Sequence, residues 1–187
     1  MAGSISMDAD TAIGDAYPPR EIARKVEQLG VAKARGDVLT TLVLAILAGA
    51  FISLGALLFI VVTTGSSLGF GPTRLLGGVS FCLGLVLVVV AGAELFTGNN
   101  LIAMAWASRL IGTREVVRNW LLAYLGNVIG CLGTVLLVVW ADVAALGDGA
   151  VAETAVRVAR AKAGLAVTDA FIRGVPHPVS WTSGRPN

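Results

Sequence analysis

Two long stretches without a charged side chain constrain this chain more than any other feature of its sequence. No Asp, Glu, Lys or Arg occurs between Asp37 and Arg74, or between Arg74 and Glu94. A run of about 18 apolar residues already indicates a helix that crosses a bilayer. Charged residues make up 14% of the chain, whereas soluble domains carry about 25%. The sequence therefore predicts an all-α membrane protein that crosses the lipid bilayer more than once.

Three apolar segments are long enough to cross a hydrocarbon core about 30 Å thick, at a rise of about 1.5 Å per residue. They cover residues 38–64, 75–96 and 118–143. A fourth piece, residues 101–111, is too short to cross alone and follows the second segment closely. The second span is therefore predicted to be two half-helices separated by an irregular turn. With a partial fourth span over residues 163–175, these segments form a predicted transmembrane domain of residues 37–175.

Residues 1–36 form a polar N-terminal segment with one amphipathic stretch. Ile22, Val26, Leu29 and Val31 recur there at roughly helical spacing, which is typical of a helix with one apolar face. Such a helix either lies on the membrane surface or is solvated and contacts only its own bundle. The sequence does not separate these two possibilities.

The positions of lysine and arginine predict the orientation of the chain in the membrane. Cytoplasmic loops of membrane proteins carry an excess of these residues close to the spans. The N-terminal segment and the loop before the third span are both basic, which places them on one side, predicted to be cytoplasmic. The residues concerned are Arg20, Arg24, Lys25, Lys33 and Arg35, followed by Arg109, Arg114 and Arg118.

The stretch GAELFTGNN, residues 92–100, interrupts the second apolar segment. Interrupting a helix in a bilayer frees backbone N–H and C=O groups, which is tolerated only where the break is buried in protein or lines a water-filled cavity. Gly98 supplies backbone freedom, and Thr97, Asn99 and Asn100 supply side chains that can bond the freed groups. The pattern predicts a pore-lining turn that unwinds near Thr97. The positive end of the half-helix that follows favours an anion path.

Glu94 is a carboxylate in an otherwise apolar segment, and two interpretations of it stay open. Ionisable groups at membrane depth are rare and are usually paired or face a cavity. In the first interpretation, Glu94 is the partner of a buried cation or of loop N–H groups near a permeation path. In the second, the span simply ends at the membrane surface and an interfacial helix follows.

Small residues predict close packing between helices. Gly126 and Gly130 form a GxxxG pair, and Gly49 and Ser53 have the same spacing, which lets backbones approach each other in lipid. Cys82 and Cys131 both fall within apolar runs and are interpreted as small buried hydrophobic residues rather than a disulfide or a metal site.

Several classes of function are not supported by the sequence. The net charge is only +2, too small to suggest a nucleic-acid partner. No nucleophile with its base, metal cluster or phosphate loop is recognisable. The sequence therefore predicts no enzyme activity, no cofactor and no metal.

Five stretches together resemble the formate/nitrite transporter family, over about residues 17–175. The resemblance is specific as a combination, although no single stretch would establish it. The stretches are PPREIARKVEQLGVAKA, LAGAFISLGA, AELFTGNNL, NWLLAYLGNVIG and AKAGLAVTDAFIRGV.

The resemblance implies an aquaporin-like protomer of six spans, built as two inverted halves, and a homo-pentamer with one pore per protomer in a prokaryotic inner membrane. Of those spans, three and part of a fourth are expected in this chain. The resemblance also implies passage of small monovalent anions such as formate, nitrite or hydrosulfide, with or without a coupled proton.

The resemblance further implies which residues line the pore. The turn is expected to line it, with apolar constrictions from two pairs of residues and with Thr97 and Lys162 meeting the anion. An ammonium group attracts an anion, and an apolar ring admits it easily only when its charge is reduced. Phe81 and Leu85 could instead face lipid or pack in the core. The turn comprises Leu95, Phe96, Thr97, Gly98 and Asn99, and the pairs are Leu95 with Phe96 and Phe81 with Leu85.

The resemblance ends after Val175, where the chain reads PHPVSWTSGRPN. Pro176 and Pro178 remove helix donors and disfavour helix in the preceding residues, so residues 176–187 are predicted to be a polar tail in which His177 is an ordinary exposed residue. A reading-frame shift or a truncated gene is one hypothesis for this change. A non-transporting membrane fragment or scaffold is accordingly the alternative to an anion transporter.

Overall fold

The computed structural model describes residues 18–169 of the chain, and this part consists of helices and the loops that join them. It divides into two compact units. The first comprises residues 18–55 with Cys82–Val135, and the second comprises Ala56–Phe81 with residues 136–169.

Three long helices dominate the structure: α2 (Val38–Thr63), α3 (Phe70–Val90) and α6 (Thr113–Trp140). All three are long and apolar enough to cross a membrane, with mean hydropathies of 2.7, 2.1 and 2.1. At about 1.5 Å per residue, each is at least about 30 Å long. The predicted all-α fold with three membrane-spanning segments is confirmed.

The second span is broken, and the break begins earlier than predicted. Helix α3 ends at Val90, where the N–H of Gly92 bonds to the carbonyl of Val89 and the N–H of Ala93 to that of Val88. This is a Schellman motif, which needs a left-handed residue, and Gly92 supplies it with φ of 62°. The prediction that the span continues to Phe96 and unwinds at Thr97 is therefore wrong in its position.

Two short helices follow the break. Residues 91–95 are irregular, and Phe96–Asn99 then forms α4 and Ile102–Ala107 forms α5. Thr97 thus lies within a single helical turn. The half-helix predicted over residues 101–111 is shorter, because a second Schellman motif ends α5 around Arg109, whose φ is 58°.

Helix α1 (Pro19–Ala34) packs against α5 in the first unit. A Cβ atom at Gly30 would lie 3.1 Å from the Cβ of Ala105, so the small residues let the two helices approach closely. Ala34 and Ile102 are buried in the same apolar cluster. The helix therefore contacts its own bundle, while its place relative to a membrane surface stays a prediction.

Helices α2 and α6 are in backbone contact through glycine. The positions where Gly49 and Gly130 would carry a Cβ atom are occupied by the backbone of Asn127 and by the carbonyl of Ile46, respectively. A Cβ atom on Gly126 would lie 2.5 Å from that of Ala45. The close packing predicted from the GxxxG pair is confirmed, and it joins two helices of one chain.

Cys82 and Cys131 are free and exposed, so the interpretation that they are buried is wrong. An apolar run in a membrane helix extends around its whole circumference, and only one face of it is covered by neighbouring helices. The sequence run therefore does not specify which of its members are buried.

The second unit contains a helix that the sequence analysis did not predict, α7 (Ala150–Ala163). It buries Val151 and Thr154, while its last turn carries the exposed Arg160 and Lys162. The fourth span was expected to begin at Ala163, but the helix ends there and helical structure resumes at residues 167–169. The rest of that predicted span, residues 170–175, lies outside the described residues, as do residues 1–17 and the tail 176–187.

Candidate functional site at the broken helix

The side chain of Asn127 on α6 bonds to the backbone of the break. Its Nδ2 donates to the carbonyl oxygens of Ala45, at 2.7 Å, and of Glu94, at 3.0 Å. Its Oδ1 accepts a hydrogen bond of 2.9 Å from the N–H of Phe96. The N–H of Glu94 donates to the carbonyl of Leu44, at 3.2 Å. Backbone groups freed by the broken helix thus find partners within the protein, as a membrane environment demands.

Lys33 supplies a positive charge to Glu94. Its Nζ lies 2.8 Å from Glu94 Oε2 and also donates to Asn99 Oδ1, at 3.1 Å. The Glu94 side chain is 13% exposed and that of Lys33 is 34% exposed. A carboxylate this enclosed is costly to leave unpaired. Lys33 therefore links α1 to both ends of the segment between Glu94 and Asn99.

Two buried asparagines continue this polar network. Asn99 Nδ2 donates to Asn119 Oδ1, at 2.9 Å, and Asn119 Nδ2 donates to the carbonyl of Lys33, at 3.0 Å. The indole N–H of Trp120 donates to the carbonyl of Asn99, at 3.2 Å. Asn99 and Asn119 are 0% and 2% exposed. Every buried side-chain nitrogen or oxygen within residues 18–169 has a partner, so the network is closed.

The five residues predicted to form the pore-lining turn differ in exposure. Thr97 and Gly98 are exposed, Leu95 and Phe96 are half-buried, and Asn99 is buried. The ring of Phe96 meets Trp120 and Tyr124 edge-on, with centroid distances of 6.4 and 5.7 Å. The aromatic contacts fix one side of the turn against α6, and they leave the Thr97 side exposed.

The remaining predicted residues lie on two other helices. Phe81 and Leu85 are exposed on α3, one helical turn apart. Lys162 is exposed in the last turn of α7, in the second unit. The lining of a pore by these residues stays a prediction.

Four residues of the polar network are absent from the predicted site: Lys33, Asn119, Trp120 and Asn127. In the sequence, Lys33 is recognisable only as one of the charges that indicate orientation. The two asparagines fall in the stretch NWLLAYLGNVIG, and a signal for them was present, because isolated polar side chains in an apolar span are usually functional or paired. The sequence does not show which residues are their partners, because those residues lie on other helices and in the break.

The model of the family described as formate/nitrite transporter matches residues 20–176. The chain belongs to the formate/nitrite transporter family. Among its relatives, the "Formate channel FocA" of Escherichia coli K12 is 45% identical over 124 residues, covering 66% of this chain and 44% of that protein. The "Probable formate transporter" of Methanothermobacter thermautotrophicus is 34% identical over 118 residues, covering 61% and 43%.

Two solved structures of channels resemble this fold. A "Pentameric formate channel with formate bound" gives a TM-score of 0.64 at 33% identity, covering 72% of this chain and 53% of that one. An "FNT family ion channel" gives 0.69 at 26% identity, covering 80% and 60%. Of the two curated relatives named above, the chain spans less than half the length.

Proposed function

We propose that this protein takes part in the transport of small monovalent anions, of the formate, nitrite or hydrosulfide class, across a membrane. The observation that supports this most directly is the broken span at residues 91–95, whose freed backbone groups are satisfied by Asn127 while Thr97 and Gly98 remain exposed. Non-helical backbone at membrane depth is tolerated where it lines a water-filled cavity. Family membership and a formate-channel relative 45% identical over 124 residues point the same way.

In this proposal the turn supplies both an apolar and a polar surface to the passing anion. Leu95 and Phe96 form one apolar constriction, and Phe81 with Leu85 forms another. An anion passes such a ring easily only when its charge is reduced, for example by a proton. The hydroxyl of Thr97 donates to the anion, and the ammonium of Lys162 raises its local concentration. Glu94 does not repel the anion strongly, because Lys33 balances its charge.

We further propose that five copies assemble in a prokaryotic inner membrane, each with its own pore and with the N-terminus in the cytoplasm. A solved pentameric formate channel, with a TM-score of 0.64, supports the assembly. The basic residues of α1, of the α5–α6 loop and of the start of α6 support the orientation.

Anion flux into proteoliposomes tests the transport proposal. Vesicles with the purified chain should take up formate faster than empty vesicles. Thr97→Val, which keeps the volume and removes the hydroxyl, should slow uptake by about tenfold if one hydrogen bond to the anion is lost. Lys162→Ala should slow uptake mainly at low formate concentration, because the ammonium acts on local anion concentration.

Arg160→Ala is the matched control for Lys162→Ala. It removes an equal charge from the same exposed turn of α7 and should leave uptake unchanged. Equal incorporation into vesicles has to be established by quantitative blotting. Uptake no faster than in empty vesicles would refute the proposal and favour the alternative of a non-transporting fragment or scaffold.

Assembly and orientation need separate measurements. Light scattering coupled to gel filtration in detergent should give five chains per particle, and a monomer would contradict the pentamer. For orientation, Gln28→Cys and Ser67→Cys place single thiols at exposed sites on α1 and on the α2–α3 loop, in a background with Cys82 and Cys131 replaced by alanine. An impermeant thiol reagent added to intact cells should label position 67 and spare position 28.

A further inference from the structure

We propose that Asn127 is a positioning residue that fixes the conformation of the pore-lining turn and thereby sets the size of anion that passes. The effect on anion size rests on the proposed transport function. The positioning of the turn is argued from the hydrogen bonds of the Asn127 side chain alone.

The Asn127 amide bonds to the backbone on both sides of Leu95. Its Nδ2 donates to the carbonyl of Glu94, and its Oδ1 accepts from the N–H of Phe96. These are the backbone groups on either side of Leu95, which has extended geometry with φ of −92° and ψ of 129°. A side chain that bonds both flanking groups holds the backbone of Leu95 in one conformation, much as a second strand would.

The same amide ties the turn to a rigid support. Asn127 Nδ2 also donates to the carbonyl of Ala45, at 2.7 Å. The backbone of Asn127 is in close contact with Gly49, so neither helix has room to shift. Because α2 and α6 are held together at this point, the amide has a fixed position from which to orient Leu95 and Phe96.

Aliphatic or hydroxyl replacements do not reproduce this pattern. The amide is used as a double donor and a single acceptor, a combination that only Asn and Gln possess. The longer Gln would have to fit where α2 and α6 already touch. Leu has the branched shape of Asn but is larger, and it leaves the N–H of Phe96 without this partner. Ser is smaller and cannot reach three backbone groups at once.

The consequence for transport is one of size selection. A site of fixed shape separates ligands that differ by one methyl group by about tenfold or more. If the turn moves, Leu95 and Phe96 no longer keep a fixed separation from the opposite wall. We expect the ratio of formate to acetate uptake to fall by about that factor in Asn127→Leu and Asn127→Ser.

The experiment combines this uptake ratio with hydrogen–deuterium exchange at the Phe96 amide in the same preparations. Loss of its acceptor should speed that exchange on the order of tenfold, while amides in the middle of α2 and α6 keep their protection. Thr134→Val is the matched control, because it removes another buried polar group of α6 that bonds only to its own helix, at Gly130 O. It should change neither readout.

Each outcome decides the inference. A lower formate to acetate ratio with faster Phe96 exchange supports it. If formate and acetate uptake fall equally, so that their ratio stays constant, Asn127 only stabilises the fold and the inference is overturned. The same holds if Thr134→Val produces the same changes. If wild-type vesicles take up no formate, the transport proposal fails by itself. Exchange at Phe96 still tests the geometry then, and unchanged exchange in both variants would refute it.

Discussion

Lys33 and Glu94 form an ion pair of 2.8 Å across 61 residues of sequence. One partner lies in the last turn of α1 and the other in the break after α3. The pair therefore joins the N-terminal helix to the interrupted span, and the Lys33 ammonium also donates to Asn99 Oδ1.

Replacing Lys33 alone should destabilise the fold more than replacing Lys33 and Glu94 together. In Lys33→Met, the enclosed Glu94 carboxylate loses its cation, and we expect a loss of about 1–3 kcal/mol, between values for exposed and fully buried pairs. The double variant Lys33→Met with Glu94→Gln should recover much of this loss. Thermal unfolding in detergent, arranged as a double-mutant cycle, measures the coupling. Additive losses would mean that the two side chains do not interact.

Gly130→Ala should destabilise the α2–α6 contact. The added methyl group would meet the carbonyl of Ile46, and neither backbone can move easily, so we expect a loss of about 3 kcal/mol. Gly133→Ala is the matched control on the same helix, because nothing lies within 4 Å of its Cβ position. It should be neutral or stabilising by up to about 1 kcal/mol. Equal melting temperatures for both variants would contradict the observed contact.

Asn119→Leu should leave Asn99 with an unsatisfied amide. Asn99 Nδ2 donates to Asn119 Oδ1 and both side chains are buried, so we expect a loss of about 1–3 kcal/mol. Asn100→Leu, at an exposed position in the same segment, should cost far less. Urea or thermal unfolding compares the two. If the exposed substitution proved as costly as the buried one, the network would not carry the stability assigned to it.

Asp37 should make stability depend on pH in the acidic range. It caps α2, and hydrogen bonds from the N–H and hydroxyl of Thr40 lower its pKa from the usual 3.8. A lowered pKa means that the ionised form stabilises the fold above pH 3.8. That contribution is lost as the pH falls through the folded-state value.

The comparison of wild type with Asp37→Ala isolates this effect from other carboxyl groups. The difference in melting temperature should stay constant from neutral pH to about pH 5 and shrink below 3.8. Asp37→Asn keeps an acceptor for Thr40 but does not titrate, so its melting temperature should approach that of wild type at low pH. A difference in melting temperature between wild type and Asp37→Ala that stays constant down to about pH 3 would contradict a stabilising role of the ionised Asp37.

Part of the site was predictable from local chemistry. The stretch GAELFTGNN indicates a break because a carboxylate, a threonine, a glycine and two asparagines follow an apolar run. The predicted position is wrong, because the left-handed residue that ends α3 is Gly92 and not Gly98. Either glycine could in principle end a helix, and the pattern of hydrogen bonds decided between them.

The sequence by itself determined the membrane character, the three long helices and the interruption of the second, because these follow from hydropathy and from residues that disfavour a continuous helix. The tertiary structure alone decided the partners: Lys33 for Glu94, Asn119 for Asn99 and Asn127 for the backbone around Leu95. Apolar patterning specifies that a segment is helical and lies in lipid. It does not specify which face meets which neighbour. Hydrogen bonds between groups 20 to 86 residues apart exist only once the helices have packed, and that packing fixes the conformation of the turn.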